Sequence, residues 1–264
     1  MAGPVRLTPS LREKVWGKTR LAPWFPDSPT PIGEVWYLAE RDLPLLVKLL
    51  FTREKLSVQV HPGDGEDGPR GKTEMWHILE AEPGAAIALG FRQPLSRRQL
   101  LEATRAGVVE SLLNWMPVKA GETYFTPAHT VHAIGAGIVL CEIQQNSDVT
   151  YRLWDYGRPR EMHVEKAVAI ADLSVHPGAM PPGEAVRSKH FVTELAALST
   201  GAEIGIEPRA CQLWIVLDGQ GTIGGLAFRQ GEVWLLPEDG PTAIAARTEG
   251  RFLRTYVPDS SGAG

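Results

Sequence analysis

Residues 117–145, PVKAGETYFTPAHTVHAIGAGIVLCEIQQ, decide how this chain is read. Short β-prone runs alternate there with Gly and Pro breaks, which predicts strands at GETYFTP and across HAIGAGIVLCEIQQ. Successive side chains of a strand point to opposite faces. Leu140, Glu142 and Gln144 therefore share one face, and Val139, Cys141 and Ile143 the other. Polar residues gathered on a single face are what a lined cavity requires, and His132 lies just upstream. Two earlier runs carry the same signature: SVQVH at residues 57–61 and GKTEMW at residues 71–76. Parity puts Ser57, Gln59 and His61 on one face with Val58 and Val60 on the other, and groups Lys72, Glu74 and Trp76. Gln59, His61, Glu74 and His132 form a candidate metal shell, since two imidazoles, a carboxylate and an amide suit zinc or another borderline divalent ion.

The rest of the chain supports a mainly β protein. From residue 33 the runs GEVWYLAE, LPLLVKLLF, LSVQVH, TEMWHILEA and AAIALGF are divided by Pro, Gly and Asp clusters. Residues 1–35 read as a proline-rich extended wrap with a short helix near residues 10–15. A helical insertion is expected at about 95–115: Ser96 and Gln99 form a capping box, Leu95 and Leu100 a staple, and Gly107 a stop, with a further turn at 112–115. Residues 177–183 hold three prolines and two glycines and mark a boundary. The expected division is a metal-binding unit at 1–176 and a second, metal-free β unit at 184–260, in which DGQG at 218–221 reads as a hairpin turn.

At 264 residues, 43% hydrophobic and 22% charged, the chain has the composition of a soluble globular protein. A net charge of −4 gives no reason to expect nucleic-acid binding, and an anionic ligand would need a local basic cluster. Cys141 and Cys211 sit in separate apolar runs and read as buried thiols. No signal-like or membrane-length apolar run is present, so a cytoplasmic location without membrane contact is expected. Oligomeric state is not written in the sequence; a monomer or weak homo-oligomer is expected.

The text LREKVWGKTRLA, PIGEVWYLAE, LSVQVHP, GKTEMWHILEAEPGA, PVKAGETYFTPAHTVHAIGAGIVLCEIQQNSDVTYRLWDYGR and REMHVEKA resembles type I mannose-6-phosphate isomerases, a metal-dependent branch of the cupin superfamily. The resemblance runs in order over residues 11–167. It implies a cupin-type jelly-roll barrel followed by a second, smaller cupin-like barrel. It also implies one divalent ion, zinc foremost, and aldose–ketose exchange between mannose 6-phosphate and fructose 6-phosphate through a cis-enediol. Gln59 becomes the expected fourth ligand beside His61, Glu74 and His132. Arg152 matches the active-site arginine and Glu142 a candidate base, its alternative reading being a structural glutamate neutralised by Arg152. Ser57 and Lys72 match residues lining the substrate site, and Arg158, Arg160 and Lys166 form a basic stretch suited to a phosphate. One departure stands out: the motif G(x5)PxGxxH is present as Gly121, Pro127 and His132, but His129 replaces its second glycine. The competing reading is a non-catalytic cupin that binds sugar or sugar phosphate.

Overall fold

The computed structural model describes residues 3–259. In chain order the first half contains β1 (Val5–Arg6), β2 (Thr8–Lys18), β3 (Ile32–Leu38), β4 (Leu45–Thr52), β5 (Val58–Val60), β6 (Glu74–Ala81) and β7 (Ala86–Phe91). It continues with α1 (Arg97–Arg105), β8 (Leu113–Pro117), β9 (Thr123–Thr126), β10 (His132–Ile134), β11 (Ile138–Gln145), β12 (Tyr151–Trp154) and α2 (Val164–Ile170). Two antiparallel sheets result. One runs β2-β3-β4-β11-β6-β9 and the other β12-β5-β10-β7-β8. The protein is mainly β, of jelly-roll cupin type.

Alternation explains which residues meet. One face of β4 and β11 sends Leu50, Ile138 and Leu140 into a core shared with Trp76, Ile78, Ile87, Leu89 and Ile134. Val58 and Val60, on the outward face of β5, are buried beside Leu100, Ala167 and Val168 of the two helices. The helical insertion begins as its sequence dictates. Ser96 accepts from the Gln99 backbone N–H, and the Gln99 side chain completes the capping box.

The remaining strands form a second pair of sheets. Six strands, in the order β1, Val233–Leu235, Leu213–Asp218, Gly250–Tyr256, Val192–Leu198 and Val186–Arg187, make the larger one. Its inner residues Leu213, Ile215, Val233 and Leu253 share a core with Val35, Val47, Leu49, Val139 and Ile143 from the back of the first half. Cys141 and Cys211 lie in this core as free thiols.

Three sequence expectations change. Residues 10–15 are part of strand β2, because pairing with β3 from Thr8↔Leu38 to Arg12↔Glu34 overrides the helix-forming residues Leu11, Arg12, Glu13 and Lys14. The turn expected at 112–115 lies earlier, as a 3₁₀ turn at Val109–Leu112, after which β8 starts. DGQG is no hairpin: Leu213–Asp218 belongs to the six-stranded sheet, whereas Gly221–Ile223 pairs with Leu226–Phe228 and Thr242–Ala246 in the other. Gly219 turns the chain between sheets, and a Cβ there would lie 2.5 Å from the Glu249 carbonyl oxygen. Among the described residues no helix is long and apolar enough to cross a membrane.

The capped helix gives a direct test. Ser96→Ala is expected to lower stability by about 1 kcal/mol, and Leu100→Ala, which empties a fully buried site, by about 2–5 kcal/mol. Urea unfolding measures both, and an unchanged midpoint for Leu100→Ala would contradict the packing of α1.

Candidate metal centre

Strand register assembles the site. Arg152, Gln59 and His132 stand directly opposite one another across β12, β5 and β10, so their side chains share a face. In the other sheet Trp36, Lys48, Glu142 and Trp76 form a second row. His61 follows β5, and Glu74 opens β6.

Ligand atoms of His61, Glu74 and His132 all lie within 4.8 Å of one another. Each imidazole is oriented by the backbone: His61 Nδ1 donates to the Val149 carbonyl at 2.9 Å and His132 Nδ1 to the Thr130 carbonyl at 2.8 Å. Both Nε2 atoms then carry the lone pair, and they stand 3.6 and 3.5 Å from the Glu74 carboxylate. Glu74 Oε1 is buried without a hydrogen-bond partner. Two neutral imidazoles around an unpartnered carboxylate oxygen fit a divalent cation of zinc type. Gln59 reaches the cluster through its amide nitrogen, 3.2 Å from His132 Nε2, while its oxygen accepts from Ser57 Oγ at 3.0 Å. Ligation by Gln59 requires a half-turn of that amide.

The surroundings are charged and dry. Lys48, Lys72, Glu74 and Glu142 are each less than 5% exposed. Lys72 Nζ lies 2.9 Å from Glu74 Oε2, 3.0 Å from His61 Nε2 and 3.9 Å from Glu142 Oε1. Lys48 Nζ lies 3.3 Å from Glu142 Oε1 and over the Trp36 ring, and Trp76 Nε1 donates to Glu142 Oε2 at 3.2 Å. Burial and then the Glu142 charge push Glu74 up, to about 7, against the pull of Lys72. Glu142 is itself raised by burial, but Lys72 and Lys48 outweigh this and hold it below its ordinary value. Burial lowers the Lys72 ammonium, yet Glu74 and Glu142 more than compensate and keep it protonated.

Other expected residues fall into place differently. The partners of Glu142 are Lys48, Lys72 and Trp76, not Arg152. Arg152 has a buried Nε with no partner. Asp155, 2% exposed, grips both Arg158 and Arg160, and Arg158 is further paired with Glu54 at 3.0 Å. Lys166 pairs with Asp67. His77, of opposite parity to Glu74, bonds to Thr123 instead of the cluster. Lys48 is the residue that reading the sequence missed. Its signal was present, a lone charge inside the apolar run LPLLVKLLF, where an unpaired ammonium would be costly to bury.

Known proteins give this geometry a context. No protein-family model matches the sequence. The mannose-6-phosphate isomerase of Streptococcus mutans is 32% identical over 296 aligned positions, covering 90% of this chain and 93% of that protein. The chain belongs to the mannose-6-phosphate isomerase family. The mannose-6-phosphate isomerase ManA of Bacillus subtilis is likewise 32% identical, over 64% of this chain and 68% of its own. The crystal structure of the mannose 6-phosphate isomerase from Bacillus subtilis superimposes with a TM-score of 0.82 at 26% identity, over 97% of this chain and all of that one. The superposition with that structure extends over nearly the whole chain, so the second pair of sheets is part of the shared fold.

Buried neutral imidazoles make stability depend on pH. Burial, followed by the Lys72 charge, holds His61 well below 6.5; burial brings His77 and His132 to about 4. The unfolded chain therefore takes up these protons first, and stability present above pH 6.5 is lost as pH falls towards 4. Burial also lowers His176 and His190, and among the described residues the raised Glu74 alone opposes these histidines. In chelator, the thermal midpoint is expected to be lower at pH 5 than at pH 7; the reverse order would contradict imidazoles held neutral.

Proposed function

We propose that the protein is a metal-dependent isomerase that interconverts mannose 6-phosphate and fructose 6-phosphate through a cis-enediol. One observation carries the reading: two imidazoles locked by Nδ1 bonds converge on a carboxylate oxygen that has no partner, beside a carboxylate held ionised by two buried lysines. Binding alone has no use for that second carboxylate, which sets this reading above a non-catalytic sugar-phosphate cupin.

His61, Glu74 and His132 would hold the ion, and Gln59 would be the fourth ligand after its amide turns over. When bound, a zinc-type ion supplies Lewis acidity that stabilises negative charge on the sugar oxygens. The proton chemistry falls to Glu142. In the aldose-to-ketose direction it removes the C2 proton, C1=C2 forms, and the C1 carbonyl electrons move to its oxygen. Transfer of the O2 proton to O1 and return of a proton to C1 leave the C2 ketone. A carboxylate held below its usual pKa is in the basic form at neutral pH. Lys72, Ser57 and Arg152 contact the substrate oxygens. Asp155 fixes Arg160 through two bonds and leaves it the better phosphate partner, because Arg158 is also neutralised by Glu54. The chemistry belongs to the unit at 1–176, with 184–260 as its support.

In a coupled assay on mannose 6-phosphate, chelation is expected to abolish turnover and zinc to restore it. His61→Ala and His132→Ala remove an ion ligand and are expected to cost about 100-fold or more. Glu142→Gln is expected to lower kcat by about 10²–10⁴-fold with zinc still bound. Zinc-loaded protein that exchanges no hexose phosphate, although it binds one, would return the assignment to the binding-only cupin.

A further inference from the structure

His129 adopts φ = +74°, a left-handed conformation that L side chains rarely hold and that glycine adopts freely. A histidine kept in that state invites the question of what its side chain does. Its Nε2 lies 2.8 Å from Glu66 Oε2, and the same oxygen accepts the Gly63 backbone N–H at 2.7 Å. Its backbone N–H donates to the His61 carbonyl at 2.8 Å. Residues 61–66 are thus wrapped around His129 and fastened to both its main chain and its ring. The next residue of the same turn, Thr130, offers the carbonyl that orients His132. One tight turn therefore holds the His61 main chain and orients the His132 ring, and the two imidazole centroids lie 4.8 Å apart.

The loop at 62–71 also leads directly to Lys72 and Glu74. Its base is pinched: Lys72 N donates to the Pro62 carbonyl at 3.0 Å, and a Cβ on Gly71 would lie 2.5 Å from the Gly63 carbonyl carbon. Beyond that base Gly65 and Gly68 have positive φ, and the loop carries little apolar material of its own. Asp64, Asp67 and Arg70 tie the segment to Gln145, Tyr151 and Asp42, and Glu66 is its side-chain contact with the turn.

We propose that His129 and Glu66 form a clamp that fastens the 62–71 loop to the turn that orients His132 and holds the His61 main chain, and so sets the spacing of the metal ligands. Both are positioning residues: neither touches the ion or substrate. The inference rests on the metal assignment made above, not on the identity of the sugar.

The test separates ring from backbone. His129→Gly keeps the left-handed turn and its bond to the His61 carbonyl but removes the clamp. Glu66→Ala removes it from the other side. Glu66→Gln retains an oxygen that accepts both bonds. Zinc affinity is measured by chelator competition, and hydrogen exchange follows the 62–71 amides. His129→Gly and Glu66→Ala are expected to weaken zinc binding by about tenfold, to speed exchange in the loop, and to combine without further loss. Glu66→Gln is expected to stay within about twofold of the parent protein, and kcat at saturating zinc to change little, as for partners that act through a ligand. Unchanged zinc affinity and exchange in His129→Gly would overturn the clamp. Equal damage from Glu66→Gln and Glu66→Ala would overturn it too. Both readouts apply even if the parent protein turns over no hexose phosphate, a result that would reject only the substrate.

Discussion

Lys48, Lys72, Glu74 and Glu142 lie inside the protein with almost no access to water, and their charges balance only as a set. Taking one such ion out of water costs several kcal/mol unless partners surround it. Removing a single member would strand another, so the cluster constrains the strands that carry it. Register supplies the answer: Lys48 and Glu142 are direct neighbours across β4 and β11, and Glu142 faces Trp76 across β11 and β6. The same arrangement keeps Glu142 ionised despite its burial, because Lys72 and Lys48 outweigh the cost of desolvation.

That arrangement is held rigid from behind. Apolar residues alternate with the charged ones along β4 and β11, and Val47, Leu49, Val139 and Ile143 press into the core shared with the second half. Behind the other sheet α1 and α2 cover Val58 and Val60. Gln59, Glu74, His132 and Glu142 therefore sit on strands packed on their outer faces, which restricts how far their side chains can move apart.

Much of this was legible in the residue text because strands obey a period of two. Parity grouped Gln59 with His61, Lys72 with Glu74, and set Glu142 apart from Cys141, and Ser96 with Gln99 announced α1. What stayed hidden depends on partners distant in sequence. Residues 10–15 have helix-forming side chains, and only pairing with β3 makes them a strand. Lys48 becomes a site residue once β4 is known to lie beside Glu142. Arg158 and Arg160 look like free cations until Asp155 is folded between them. His129 could be seen as a departure from a glycine, but its bond to Glu66 crosses 63 positions and no local pattern carries it.

β1 adds a consequence of a different kind. Val5 and Arg6 pair with Leu235 and Trp234, so β1 completes a sheet whose other members come from residues 186–256. During synthesis Val5 and Arg6 are made long before Trp234 and Leu235, so their pairing waits for those residues. Assembly cannot then finish in simple order from front to back.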